Sequence, residues 1–102
     1  MVSPAEPGPA TPETHMIIYF VYVIQSEINK CLYIGSTDDI ERRLLEHNSG
    51  KTRSTKPFVP YRLIYSEVYE NKKEAIQRER QIKRSGKVRK ELKEGTYPGP
   101  IV

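Results

Sequence analysis

One cysteine, Cys31, is all the 102-residue chain contains. That excludes an internal disulfide framework and a cysteine-rich zinc site, and it makes a reducing, cytoplasmic setting the expected one. Among strand-forming neighbours, Cys31 itself reads as a small core residue. Long apolar runs are missing as well. Nothing approaches the ~20 residues that span a bilayer, so no membrane partner is expected. The first residues lack a positive segment leading into an apolar one, so no secretory signal is read there. No internal repeat is visible. A chain of this length is one domain with a small core.

Residues 1–15 also lack any Lys or Arg; they carry Pro4, Pro7, Pro9 and Pro12 among Ala, Thr and Glu. With nothing to bury, they are expected to be a disordered tail. The folded domain should run from 16 to 94, with a flexible end over 95–102 around Pro98 and Pro100. Removing Glu6 and Glu13 from the count leaves 17 basic against 11 acidic side chains, so the net charge of +4 becomes +6 outside the tail. A basic surface of that size fits a polyanionic partner.

Ile17 to Gln25 is almost wholly apolar and rich in β-branched and aromatic residues. It is too short for a typical buried helix and reads as a strand covered on both faces. A turn over Ser26 to Lys30 and a second strand from Cys31 complete a hairpin. Period-two alternation sets Tyr22 with Phe20 and Ile24, and Tyr33 with Cys31 and Gly35. Gly35 leaves the backbone open to close approach. Asp38 and Glu41 then have helix-start spacing, and Ile40, Arg43, Leu44 and His47 share one half of the helix. A cation and an imidazole beside an apolar stripe could converge on an anion, or simply form a solvated helix edge.

Asn48-Ser49-Gly50 reads as the stop of that helix. The loop from Lys51 to Pro60 has no acidic residue; it offers Lys51, Arg53 and Lys56 with the hydroxyls of Thr52, Ser54 and Thr55. Such groups suit phosphate contacts, and equally an ordinary solvated loop. Tyr61 to Tyr69 is a third strand. Asn71 and Glu74 repeat the capping spacing, opening a helix over 72–84 with Ala75, Ile76 and Ile82 as its apolar stripe. Glu79 interrupts that stripe. A carboxylate there is costly unless paired or metal-bound, so it is either a site residue or half of a buried Glu–Arg pair. A last short helix over 85–94 places Val88 and Leu92 one turn apart, and from Arg78 to Lys93 eight basic residues face only Glu79 and Glu91. The expected fold is α+β: a three-stranded, mainly antiparallel sheet (17–25, 31–36, 61–69) flanked by helices.

Taken in order, these residues resemble the GIY-YIG nuclease domain, in its small single-domain bacterial branch. Phe20-Val21-Tyr22 occupies the place of the first tripeptide, without its glycine, and Tyr33-Ile34-Gly35 is the second. Arg43 stands at the family's arginine spacing, with His47 one turn on. Ala75-Ile76-Gln77-Arg78-Glu79 resembles the helix with the metal-binding glutamate. The family often has an asparagine after that helix, and no counterpart is evident near Ser85.

The resemblance implies a metal-dependent endonuclease that hydrolyses DNA phosphodiester bonds, in repair or turnover. Arg43 would fork onto the phosphate oxygens. Glu79 would hold Mg²⁺ or Mn²⁺ through one carboxylate. Tyr22 and Tyr33 would bracket the attacking water, one of them as general base. His47 would orient a tyrosine or contact phosphate, and Lys51, Arg53 and Lys56 would meet the nucleic-acid backbone. A tyrosine of pKa ~10 needs a nearby cation to work as a base at neutral pH. The alternatives are a nucleic-acid-binding module with little catalysis, an Arg43–Glu79 structural bridge, and RNA as the polymer. Lacking a second domain, the protein would bind weakly and non-specifically or take specificity from a protein partner.

Overall fold

The computed structural model describes residues 18–99, so the proposed tail and the ends of the chain lie outside the described residues. In chain order, strands β1 (Tyr19–Ser26) and β2 (Leu32–Thr37) are followed by helix α1 (Ile40–Asn48), strand β3 (Tyr61–Tyr69), and helices α2 (Lys72–Arg84) and α3 (Gly86–Glu94). The three strands form one antiparallel sheet in the order β2-β1-β3. The expected α+β architecture is the one observed.

The central strand explains why the most apolar stretch comes first. Its Val21 and Val23 point to one face, where they pack with Ile34, Ala75, Ile82 and Leu92 under α2 and α3. Tyr22 and Ile24 point to the other, packing with Tyr61 and with Ile40 and Leu44 of α1. One sheet is thus covered on both faces by different helices. Between Val23 and Ile24 the register with β3 slips by one residue, a bulge that accommodates Ile64.

Capping follows the sequence with one shift. Asn71 accepts from the Glu74 amide at the start of α2, as its spacing predicts. For α1 the N-cap is Asp39, which accepts from the Arg42 amide, because Thr37 Oγ1 takes the Asp39 amide and turns the chain one residue later. Asp38 pairs with the Arg42 side chain instead. Gly50 supplies the left-handed turn after α1, at φ 81°. Cys31, expected in the core, is exposed: it lies at the end of the hairpin turn, its amide bonded to Asn29 Oδ1.

The buried Glu–Arg pair exists, on a different glutamate. Glu67 of β3 takes a forked contact from Arg78 of α2, at 2.9 and 3.1 Å. The hydroxyls of Tyr65 and Tyr69 donate to the same carboxylate. Arg78 also donates to Tyr97, so the segment 95–99, part of the expected flexible end, is anchored to α2. Burial alone would raise the Glu67 pKa; Arg78 and the two phenols outweigh it and hold the carboxyl below its ordinary value. Glu67→Gln should therefore leave an uncompensated guanidinium and cost ~3–5 kcal/mol. In a domain of this size a thermal melt should show that as a fall of more than ~10 °C. A melt within a degree or two of wild type would contradict it.

Candidate active site

Tyr22 and Gly35 face each other across β1 and β2. A Cβ on Gly35 would sit 2.6 Å from Tyr22 Oη and 2.8 Å from Cζ, so the phenol ring occupies the space a side chain would need. The close approach that the glycine permits is the ring of Tyr22. That ring is held flat across the sheet, with its hydroxyl aimed at α1.

There the hydroxyl meets His47, with Oη and Nε2 2.9 Å apart. His47 is completely buried, and its Nδ1 lies 2.9 Å from Thr55 Oγ1. Thr55 donates its own hydroxyl proton to the Thr52 carbonyl. The chain of bonds therefore assigns the tautomer: Nδ1–H donates to Thr55, and Nε2 accepts from Tyr22. Tyr33 packs edge-on against the imidazole with ring centres 4.7 Å apart. The two tyrosine rings are 6.3 Å apart, inside the ~10 Å that a shared site on strands ~4.8 Å apart demands.

The electrostatics of this cluster follow from its burial. Exclusion of water is the main reason the His47 pKa is lowered to about 4; Arg43 adds to it and Glu46 opposes it. Burial, reinforced by Tyr33, raises the Tyr22 pKa to about 12, against the Arg43 guanidinium beside it. At neutral pH both groups are uncharged. In the unfolded chain His47 takes a proton near pH 6.5, whereas folded it resists until about 4. Folding stability should therefore fall as pH drops through that window, by up to ~1.4 kcal/mol per unit. Glu67, with its depressed pKa, joins below its ordinary titration range. Thermal melts at pH 7, 6, 5 and 4 check this. A flat profile between 6.5 and 5 would mean that His47 is accessible to protons.

Arg43 and Glu79 complete the predicted set from either side. Arg43 is half-exposed and pairs with Glu46 at 2.9 Å. Glu79 reaches Lys83 Nζ at 2.6 Å through Oε2, and among the described residues its Oε1 has no protein partner. The Arg43–Glu79 bridge is not formed. Glu79 makes no hydrogen bond to the tyrosines, but its charge acts on the Tyr22 phenol as the smallest of the influences raising it.

The loop is built differently from its sequence reading. Thr55 is buried against His47, so its hydroxyl serves the imidazole. Asn48 clamps both backbone groups of Tyr61, and Ser26 Oγ donates to the Phe58 carbonyl. Lys51, Arg53 and Lys56 are exposed on this pinned loop. None makes a polar contact with Tyr22, Tyr33 or Arg43 among the described residues. The sequence does not mark Thr55 as the partner of His47, because nothing in a run of Thr and Ser tells which hydroxyl will be buried.

Known proteins resemble the chain over most of its described residues. The sequence model of the GIY-YIG catalytic domain matches residues 18–91. A UPF0213 protein of Desulfotalea psychrophila is 40% identical over 81 residues, 78% of this chain and 73% of that one. A UPF0213 protein of Natronomonas pharaonis is 36% identical over 74 residues, 72% of this chain and 86% of that one. The solution structure of the UPF0213 protein of Bacillus halodurans matches at 30% identity and a TM-score of 0.48, covering 81% of this chain and 88% of that one. None of these names states an activity.

Proposed function

The chain belongs to the GIY-YIG catalytic-domain family, and from that premise we propose that it is a metal-dependent endonuclease acting on DNA phosphodiester bonds. Among its own features, the hydrogen bond from a buried tyrosine to a buried neutral histidine, beside a half-exposed arginine, carries the proposal. A binding module has no use for a desolvated proton acceptor of that kind.

In-line attack on a phosphodiester builds negative charge on the equatorial oxygens, so the task is positioning and neutralisation. Arg43 offers a planar fork to those oxygens. A phenol near pKa 12 is a poor store of negative charge, so its own proton has to leave as it takes one. As water attacks, the water O–H breaks as a new O–H forms at Tyr22 Oη, and the original Tyr22 O–H breaks as an N–H forms at His47 Nε2. The buried imidazolium, with a pKa of about 4, holds that proton only in passing and returns it through Oη to solvent once the P–O bond has broken. Tyr33 walls the opposite side of the water and shields the imidazole.

The residues present also fit a divalent ion. Among the described residues no group of three or more His, Cys, Asp or Glu side chains is arranged for one, but Mg²⁺ commonly uses one carboxylate and fills its shell with water and phosphate. Glu79, whose Oε1 has no hydrogen-bond partner among the described residues, would supply that carboxylate to Mg²⁺ or Mn²⁺. The ion would stabilise charge at the leaving oxygen. Such an activity suits DNA repair or turnover in the cytoplasm, with a protein partner contributing specificity.

Labelled single-stranded, duplex and branched DNA, with RNA alongside, should be cut in Mg²⁺ and left whole in EDTA. Affinity for the uncut substrate should fall steeply with salt as counterions are released. Salt-sensitive binding with no cleavage in any divalent ion would leave a nucleic-acid-binding module. Cleavage of RNA alone would change the polymer.

A further inference from the structure

The basic side chains that matter most are not on the loop. Between the chain from Cys31 to Ile34 and helix α3 lies an open groove of about 660 Å³, whose far wall is Lys83, Arg89, Lys90 and Lys93. No acidic side chain lines it. Lys83 has a carboxylate partner, Glu79; among the described residues Arg89, Lys90 and Lys93 form no ion pair. These cations are on a rigid support. Ser85 caps α3 through the Val88 amide, and Leu92 is buried in the core with Val88 packed against it.

The near wall has its own donors. Among the described residues, strand β2 is at the edge of the sheet, with β1 its only neighbour. Alternate backbone N–H groups of an edge strand are left without a strand partner, and residues 31–34 line the same groove as the lysines and arginine. Backbone amides opposite a row of Lys and Arg suit phosphate oxygens, not apolar ligands. The groove also joins the candidate centre at both ends of its chemistry. Tyr33 lines it and touches His47, while Lys83 holds Glu79.

We propose that this groove seats the sugar-phosphate backbone of the nucleic-acid strand flanking the scissile phosphate, with Arg89, Lys90 and Lys93 as its phosphate contacts. The proposal rests on the nuclease reading and goes beyond it: the strand leaves the centre along β2 and α3 and does not run over the loop of Lys51, Arg53 and Lys56. Among the described residues, the loop's hydrogen bond to the centre is the buried Thr55–His47 contact. The groove meets it through the half-buried Tyr33.

Cys31 provides the test, being the only cysteine of the chain, exposed and in the groove wall. Its alkylation by N-ethylmaleimide is followed in EDTA, with and without a short single-stranded DNA oligonucleotide, while fluorescence anisotropy reports saturation. Saturating DNA should slow alkylation several-fold. Lys90→Glu with Lys93→Glu should abolish that protection and weaken binding; Ala at Lys51, Arg53 and Lys56 together should leave protection in place. Replacing Lys90 and Lys93 by Ala should lower the slope of log affinity against log salt by ~1.4 for a single strand. Saturated binding with unprotected Cys31, or protection that survives the double Glu variant, overturns the groove and spares the nuclease reading. No binding by the wild-type protein at low salt overturns both. Equal protection by an oligoglutamate peptide would make the groove a general acidic-chain site and overturn its assignment to nucleic acid.

Discussion

Tyr22→Phe is expected to slow single-turnover cleavage by about 10²–10⁴-fold, the range for loss of a positioned general base, with DNA affinity close to wild type. The ring would stay, filling the space over Gly35 where a Cβ would come within 2.6 Å of Oη. Only the hydroxyl goes, and with it the donor to His47 Nε2. Stability should fall too, because His47 is completely buried and an unsatisfied buried acceptor costs ~1–3 kcal/mol. Tyr33→Phe should do much less. Tyr33 touches the imidazole through its ring edge, and its hydroxyl has no hydrogen-bond partner among the described residues. Rate constants for both variants on one oligonucleotide separate the two. A normal rate for Tyr22→Phe with a collapsed rate for Tyr33→Phe would transfer the base to Tyr33. Normal rates for both would end the tyrosine mechanism here.

Glu79→Gln should abolish cleavage, by about 10²–10³-fold or more, the scale of losing one transition-state charge stabiliser. It should leave the fold intact, because the ion pair it removes reaches solvent. Glu79 pairs with Lys83, whose side chain is 51% exposed, and pairs of that kind are worth ~0–1 kcal/mol. Had the carboxylate bridged Arg43 in the interior, the same change would cost a few kcal/mol, as is expected at Glu67. A melt within a few degrees of wild type, DNA binding kept or tightened, and no cutting in Mg²⁺ or Mn²⁺ is the predicted set. A Glu79→Gln protein that cuts normally removes the metal role. One that unfolds assigns Glu79 to structure.

The fold was legible because each segment's period agreed with its caps. The strand rich in Val, Ile and Tyr is the central one, β3 spans the expected 61–69, and Asn71 opens α2 at its capping-box position. The carriers of the proposed chemistry were legible as types in order, and Tyr22, Tyr33 and His47 do converge. The pairings were not. The sequence allows a buried Glu–Arg pair at Glu79, in the apolar stripe of α2, whereas Glu67 forms it in a β-strand with three tyrosines around the pair. A strand's alternation marks which residues share a face. It does not tell which polar residue on that face will find a guanidinium across the core. Thr55 was hidden for a similar reason: which hydroxyl of the loop turns inward is decided by the clamp of Asn48 on Tyr61, a contact 13 residues apart in sequence. Cys31 erred the other way, since a turn residue at the edge of a sheet opens onto a groove.

Metal-triggered hydrolysis at the Tyr22–His47–Arg43–Glu79 centre is the core of this account, and order of addition tests it most directly. Wild-type protein is saturated with labelled DNA in EDTA at low salt, and excess Mg²⁺ is then added to the preformed complex. DNA should be intact before the ion is added and cleaved in a single turnover after it. A complex that stays whole in excess Mg²⁺, and again in excess Mn²⁺, contradicts metal-triggered hydrolysis at that centre.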